Sequence, residues 1–293
     1  MSDAITVGVL GATSPAGQQV LAKLTAAGHR VVAFSRSPQP AGDNDAVQWV
    51  SLADAHAEDA ASAAGPITVW IALCHIWVVG EHFEFMRRLG AQRVVCLSST
   101  SRYTKVTSQN PYEEALVQRL SQGEQALAQW AEGAGIGWTV LRPTLIYGRS
   151  TDRNLSEIVR LIRKLHVFPV FGRAGGQRQP VYVDDVAQAA VLSAFAPGAV
   201  NKGYNISGAE VLSYREMVAR IFKAMGRTPR LLTVPIWLFN TGLFFLRMIP
   251  RYRNWNADMV QRMNRDMVFS HDDAARDFGF KPQPFVLRDV DVL

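Results

Sequence analysis

The sequence is poor in cysteine and has no cluster of residues at metal-ligand spacing. It contains two cysteines, Cys74 and Cys96, which both fall in predicted strands, where a free thiol behaves as a small buried hydrophobe. Two cysteines make no disulfide framework, so we expect a reducing, cytoplasmic location. His166 and His271 have no partners at the spacing of metal ligands, and no metal site is predicted.

Long runs of one residue type are also missing. Lys and Arg number 31 against 25 Asp and Glu, yet no basic run is long enough for a nucleic-acid-binding arm. The N-terminus has no basic region and no apolar core followed by a cleavage site, so no signal peptide is expected. No nucleic-acid partner is predicted.

One uncharged apolar segment, Leu231–Leu246, needs an interpretation. It is short for a bilayer span and is interrupted by Pro235 and Gly242. We interpret it as a buried wall of a substrate lobe. The alternative is a membrane-surface helix over 231–253, whose flanking arginines contact lipid phosphates.

The segment Ile5–Gly17 organises the chain. Its apolar run ends at Gly11, and Gly11, Ser14 and Gly17 follow the G-x-x-G-x-x-G spacing with serine at the middle glycine. A diphosphate must approach bare backbone N–H groups and the positive end of a helix, and only small residues leave room. The alternative is a tight turn without a ligand. The cofactor-binding residues predicted in this turn are Gly11, Thr13, Ser14, Pro15 and Ala16.

The end of the second predicted strand indicates which dinucleotide binds. The strand over 29–35 ends at Ser35 and is followed by Arg36. An acidic residue there would hold the ribose hydroxyls and repel a 2′-phosphate, whereas a hydroxyl and a guanidinium suit that phosphate. We therefore predict NADP, with NAD possible; the alternative is that Arg36 is a solvated surface residue.

Strands and helices alternate through the first half. Further strands are predicted at 46–52, 67–73, 93–98 and 137–141, with a long helix over roughly 113–131. This alternation requires a parallel sheet whose ligands bind outside the carboxyl ends of its strands, where Ala72, Leu73 and Ser98 lie. The predicted fold class is α/β, a Rossmann-type doubly wound parallel sheet with a smaller, interleaved C-terminal substrate lobe. We assign 1–142 plus about 178–200 to the Rossmann domain, and about 143–177 and 201–293 to the lobe.

Five segments together resemble the extended short-chain dehydrogenase/reductases, the superfamily of nucleotide-sugar epimerases and dehydratases, in its atypical branch. They are GATSPAG at 11–17, LSSTSRY at 97–103, LRPTLIYG at 141–148, GGQRQPVYVDDVAQA at 175–189 and DFGFKP at 277–282. The resemblance spans nearly the whole chain.

The resemblance implies roles for individual residues. It places Ser99 where a hydroxyl bonds a substrate carbonyl or alcohol, with Tyr103 lining the same pocket. It places Pro143 and Thr144 beside the nicotinamide and Arg178 near a substrate phosphate. His75 and Tyr147 are further candidates for the substrate pocket, although a single His beside Trp77 is more often a packed residue.

One feature of that superfamily is missing. Active members have a Tyr and a Lys at i and i+4 on the helix before LRP, so that the Lys lowers the Tyr pKa. No Y-x-x-x-K occurs here; the windows 114–116 and 118–120 contain Glu114, Ala115 and Leu116, then Gln118, Arg119 and Leu120. Tyr112 with Arg119 is a possible substitute; the alternative is a helix-start Tyr and a surface Arg. Asp184 and Asp185 are expected to cap a helix and balance its dipole.

Three functions are compatible with these residues. The first is an NADP-dependent epimerase, dehydratase or reductase acting on a nucleotide sugar or a similar small molecule, with or without a phosphate, in which Ser99 and Tyr103 or Tyr112 handle the proton. The second is a non-catalytic NADP-binding sensor or assembly module. The third is a membrane-surface lipid or quinone reductase, which rests only on 231–253. The oligomeric state stays open.

Overall fold

The structure is a computed structural model, and it describes residues 4–37, 39, 45–54, 57–105, 110–149, 153–235 and 262–292. The strands are β1 (Thr6–Leu10), β2 (Arg30–Ser35), β3 (Val47–Ser51), β4 (Val69–Ala72), β5 (Arg93–Leu97), β6 (Gly137–Pro143), β7 (Ile146–Tyr147), β8 (Phe168–Phe171), β9 (Gln177–Arg178), β10 (Val181–Tyr182), β11 (Lys202–Ile206), β12 (Leu212–Ser213) and β13 (Leu231–Val234).

The helices are α1 (Pro15–Ala26), α2 (Ala57–Ser62), α3 (Ile76–Val79), α4 (Phe83–Arg88), α5 (Ser101–Thr104), α6 (Pro111–Gly133), α7 (Arg153–Leu165), α8 (Val183–Phe195), α9 (Tyr214–Ala224), α10 (Asp272–Phe278) and α11 (Asp289–Val292). Short 3-10 helices cover Gly80–His82 and Pro197–Ala199.

Seven parallel strands form the main sheet in the order β11-β6-β5-β4-β1-β2-β3. The strand order reverses between β4 and β1, and in such sheets ligands bind outside the carboxyl ends of the strands at this switch point. The predicted α/β fold with a doubly wound parallel sheet is confirmed.

Helices cover both faces of this sheet. On one face α1 packs against α8, and the apolar core there continues into the C-terminal part of the chain. On the other face the core includes Ile76 of α3, Met86 of α4 and Leu127 of α6. Burial on both faces explains why the strands are continuous apolar runs instead of alternating polar and apolar residues.

The smaller lobe is built from short strand pairs. β8 pairs with β13, β9 with β12, and β7 with β10, and α7 packs against both α9 and β8. β11, however, pairs with β6 along its whole length, so Lys202–Ile206 lies in the main sheet. The sequence analysis assigns this strand to the lobe, whereas its pairing with β6 puts it in the main sheet; the division into two domains stays a prediction.

The apolar segment at 231–246 begins as a strand. Leu231–Val234 forms β13, and Leu232 is 58% exposed, so this part is not the buried wall that the sequence predicts. The remainder, 236–246, lies outside the described residues, as does the possible membrane-surface stretch up to 253. Among the described residues, no helix is both long and apolar enough to cross a membrane.

Candidate functional site

The glycine turn lies at the switch point of the sheet. Gly11 has φ +75°, in the left-handed region, and a Cβ there would lie 2.8 Å from the amide nitrogen of Cys74. At Gly17 a Cβ would lie 2.4 Å from the carbonyl oxygen of Gly11. Both glycines are therefore required by close backbone approach, which keeps the turn after β1 against the end of β4.

The start of α1 has the chemistry that a diphosphate needs. The Ser14 hydroxyl accepts from the Gly17 amide (3.0 Å), and the Ser14 carbonyl accepts from Gln18 (2.9 Å). Pro15 has no N–H, so the Ala16 amide is the first-turn donor left without a protein partner in the described part of the chain. With the helix dipole and the bare turn, these residues fit the phosphates of a dinucleotide.

The two residues at the end of β2 that are predicted to contact the ribose end of the cofactor differ in exposure. Ser35 is 6% exposed, and its hydroxyl donates to the carbonyl of Ser37. Arg36 is exposed to solvent. The Arg36 side chain is therefore open to solvent, whereas the Ser35 hydroxyl is engaged locally.

The end of β4 is held beside the glycine turn. Leu73 donates its amide to the carbonyl of Leu10 (2.9 Å), so the predicted residues Ala72 and Leu73 do adjoin the turn. Cys74 follows, and burial raises the pKa of its thiol to about 11, which keeps it protonated at neutral pH. His75 is exposed and stacks on Trp77 with ring centroids 4.4 Å apart.

The loop after β5 contains the predicted catalytic residues Ser99 and Tyr103. The Ser99 hydroxyl accepts from the Ser101 amide (3.1 Å), which organises the first turn of α5. This leaves the hydroxyl hydrogen of Ser99 available for another oxygen. Tyr103 is 42% exposed, and its ring lies 5.9 Å from that of Phe269.

A buried carboxylate that the sequence analysis did not identify as functional ties this loop to the sheet. Glu124 of α6, 5% exposed, accepts from the Ser98 hydroxyl (2.5 Å) and from the Arg142 guanidinium (2.7 Å), and Arg102 donates to the same carboxylate. We call these four residues the Glu124 cluster. The sequence pattern could have revealed this cluster, since an acidic residue on the inward face of an amphipathic helix is buried only when it is paired.

The cluster also positions two cations at Tyr103. The guanidinium carbons of Arg102 and Arg142 lie 5.9 and 5.8 Å from the centroid of the Tyr103 ring. Both distances allow cation–π attraction. A Cβ at Gly203 would lie 2.5 Å from an Arg142 nitrogen, so a glycine on β11 makes room for this guanidinium.

Where the resemblance expects a Tyr and a Lys, α6 presents apolar packing. Leu120 is 3% exposed and Leu116 packs on the same apolar core. Tyr112 is 73% exposed and Arg119 is exposed, so the predicted substitute pair is at the surface of the helix. The structure brings neither of them into contact with Ser99 or Tyr103 among the contacts of the described residues.

The end of β6 adjoins the loop after β5. The carbonyl of Pro143 accepts from the Thr100 amide (3.1 Å), and Thr144 donates its hydroxyl to the carbonyl of Gln179 (2.5 Å). Pro143 and Thr144 therefore lie at the same sheet edge as Ser99, as predicted for residues around a nicotinamide. Their contact with a cofactor stays a prediction.

Two residues predicted to bind substrate are buried and hydrogen-bonded to backbone carbonyls, and their contact with a substrate stays a prediction. Tyr147 is 1% exposed, its hydroxyl faces the carbonyls of Pro284 and Val286 (3.4 Å each), and burial raises its pKa. Arg178 is 5% exposed, and burial lowers its pKa. Its guanidinium donates to the carbonyl of Arg265 (2.8 Å) and to that of Arg262. These bonds use Nη1 and one hydrogen of Nη2, so a substrate phosphate would have to approach the remaining donors of this buried guanidinium.

The aspartates after β10 are placed to balance the helix dipole, as expected, but they do not cap the helix, because the N-cap residue is Tyr182 and it has no side-chain capping hydrogen bond. Asp184 and Asp185 lie in the first turn of α8, where negative charge complements the dipole. Asp184 pairs with Arg149 (3.4 Å), whereas Asp185 accepts from the amide of Gln283 (3.0 Å). Among the described residues, no group of three or more His, Cys, Asp or Glu could hold a metal ion.

Comparison with known proteins agrees with this architecture. The sequence model of the NAD dependent epimerase/dehydratase family matches residues 78–207. Two solved structures are similar in fold: the UDP-glucose 4-epimerase of Thermotoga maritima with UDP-glucose has a TM-score of 0.69 at 16% identity and covers 98% of this chain and 96% of that one. The Thermus thermophilus UDP-glucose 4-epimerase complex with NAD has a TM-score of 0.66 at 20% identity, covering 98% and 96%.

The curated relatives have several kinds of activity. The UDP-glucose 4-epimerase of Vibrio cholerae is 24% identical over 55% of this chain and 47% of its own length. The 2-alkyl-3-oxoalkanoate reductase of Stenotrophomonas maltophilia is 25% identical over 91% and 92%. The mouse NADH dehydrogenase [ubiquinone] 1 alpha subcomplex subunit 9 is 28% identical over 53% and 41%. The chain thus spans about half or less of the epimerase and the NADH dehydrogenase subunit, but nearly all of the reductase.

Proposed function

We propose that this protein binds NAD(P) and acts as an epimerase/dehydratase-like or reductase-like protein on a nucleotide sugar or a similar small molecule. The observation that carries the proposal is the glycine turn at the switch point of the sheet, where Gly11 and Gly17 leave backbone and helix start bare for a diphosphate. Three comparisons support the proposal: the matched epimerase/dehydratase family model, the similar epimerase structures, and a reductase that aligns over almost its whole length.

The cofactor we propose is NADP, with NAD as the alternative. Arg36 is exposed immediately after β2 and can pair with a 2′-phosphate. Two titrations, with NADP and with NAD, test this preference in the unmodified protein. Equal affinities would contradict it, while leaving dinucleotide binding itself intact.

The residues available for proton handling are on the loop after β5. When bound, NAD(P) accepts or supplies a hydride. Ser99 can donate a hydrogen bond to a substrate carbonyl or alcohol, and the ring of Tyr103, four residues further along the chain, lies close to the Arg102 and Arg142 guanidiniums. Because α6 presents Leu116 and Leu120 where a Tyr and a Lys are expected, we propose slow turnover. General acid or base assistance is typically worth ~10²–10⁴ in rate.

The experiment is a panel of nucleotide sugars and small carbonyl compounds with NADPH, followed by absorbance and product analysis. Ser99→Ala and Tyr103→Phe should each lower turnover, while Tyr112→Phe, at an exposed position, should lower it less. Turnover that survives the first two changes would show that the proton-handling groups lie elsewhere, with His75 and Arg119 next to be tested.

A second candidate function is a non-catalytic NADP-binding sensor or assembly module. The packing of Leu116 and Leu120 in the core favours it, because neither side chain can exchange a proton with a cofactor or a substrate. The similarity to an NADH dehydrogenase subunit is compatible with such a role. Tight, slowly exchanging NADP without turnover on any compound of the panel would favour this function over an enzyme.

A further inference from the structure

A pocket outside the dinucleotide site lies between α6 and β6. It has a volume of about 320 Å³ and is lined by Arg102, Glu124, Gln125, Trp138 and Arg142, among others. Such a volume is at the lower end of the range for small-molecule sites. The pocket is on the sheet face covered by α6, whereas the glycine turn lies between β1 and β4.

The charges in this pocket are unbalanced. Two guanidiniums, those of Arg102 and Arg142, share the single carboxylate of Glu124. The side chain of Glu124 is 5% exposed, that of Arg142 15% and that of Arg102 32%. The carboxylate is therefore enclosed, while the cations are the part of the cluster that a molecule in the pocket can reach. At the opposite end, the exposed Glu132 accepts from the Trp138 indole (3.2 Å).

The donors that remain define the ligand chemistry. In its contacts with the described residues, Arg142 uses Nε and Nη2 on Glu124, and Arg102 uses Nη1, so further N–H groups of both side chains are left there for an anion. The half-buried Trp138 provides an apolar surface beside these cations, with the fully buried Val140 behind it. We propose that this pocket binds a small anion, a carboxylate or a phosphate monoester, that has a planar apolar group.

An anion bound in this pocket would change the electrostatic environment of the candidate catalytic loop. The same two guanidiniums lie within 6 Å of the Tyr103 ring, at 5.9 and 5.8 Å. An anion that accepts hydrogen bonds from these guanidiniums changes the net charge beside Tyr103 without entering the dinucleotide cleft. The site itself is independent of the proposed function, because its ligand binds to the cluster and not to a cofactor.

The test is calorimetric titration of the full chain with phenyl phosphate, benzoate, inorganic phosphate and benzyl alcohol. Phenyl phosphate or benzoate should bind, and benzyl alcohol, with the ring but no charge, should bind at least about tenfold more weakly, as should inorganic phosphate without the ring. Arg102→Gln removes one cation while Arg142 and Ser98 still hold Glu124, and it should weaken binding of the aromatic anion about tenfold or more.

A milder variant keeps the test valid if Arg102→Gln is poorly folded. Gln125→Glu adds negative charge at an exposed position of the pocket rim and should lower the affinity for the anion. Gln122→Glu, at an exposed position one turn earlier on α6, should leave this affinity unchanged. Failure of both aromatic anions to bind the unmodified protein would overturn the proposal. So would binding that Arg36→Ala weakens and Gln125→Glu leaves unchanged, because the anion would then lie in the dinucleotide cleft.

Discussion

Replacing Glu124 by glutamine is the substitution from which we expect the largest loss of stability. The carboxylate accepts hydrogen bonds from the Ser98 hydroxyl, just after β5, and from the guanidiniums of Arg102 and Arg142. It therefore joins α6, β6 and the loop that contains α5. Glutamine has almost the same shape but no charge, and its amide NH₂ would face donors. Two cations would then be left against a partly buried neutral group.

The size of the loss follows from the burial of the partners. Removing one member of a buried ion pair typically costs about 3–5 kcal/mol, because an uncompensated charge stays buried. The side chain of Arg102 is 32% exposed and can be hydrated, whereas that of Arg142 is 15% exposed. We therefore expect the lower end, about 3 kcal/mol, which for a chain of this size lowers Tm by about 6–12 °C.

The measurement is urea and thermal unfolding of the unmodified protein and Glu124→Gln, with Glu114→Gln as control. Glu114 is exposed on the same helix, and its replacement should change the free energy of unfolding by less than about 0.5 kcal/mol. Replacing Arg142 by glutamine together with Glu124 should cost less than the sum of the two single changes. A loss below about 1 kcal/mol for Glu124→Gln, the range of exposed ion pairs, would refute this reasoning.

Three further predictions concern the cofactor turn and a surface carboxylate. In Gly17→Ala the added Cβ would lie 2.4 Å from a carbonyl oxygen of the same turn, so NADP binding and thermal stability should both fall, whereas Gly133→Ala, with open space around it, should change neither. Arg36→Ala should lower the preference for NADP over NAD about tenfold or more, read by titration with each. The Tyr204 hydroxyl and neighbouring cations hold the pKa of Asp277 well below its usual range, so its stabilising effect is present above about pH 4 and is lost as pH falls; the stability difference between the unmodified protein and Asp277→Asn should shrink in acid.

The parts of the fold that the sequence predicted are those set by local pattern. β1, β2, β3 and β5 are apolar runs bounded by turns, and their alternation with helices requires a parallel sheet. The glycine turn could be predicted for the same reason, since its geometry depends on residues within a few positions of each other. The short strand pairs of the lobe have no such pattern, because a two-residue strand such as β9 has no periodicity to detect.

The candidate site was predicted less well where remote segments surround it. Tyr147 and Arg178 read as substrate residues from their motifs, but their neighbours come from residues 262–286, which no local rule places beside them. The Glu124 cluster shows the same limit, since its four members come from β5's end, α5, α6 and β6. Only the folded sheet brings these charges together.

One face of α6 limits which groups can take part in proton transfer. Leu116, Leu120 and Glu124 are spaced four residues apart and thus share one face of the helix, with the two leucines packed in the core and the carboxylate anchoring the loop after β5. This face fixes the position of the loop, and its carboxylate already accepts from Ser98, Arg102 and Arg142. We therefore expect any proton transfer to depend on two groups of the loop itself, the Ser99 hydroxyl and the Tyr103 phenol, whose ring lies close to the Arg102 and Arg142 guanidiniums.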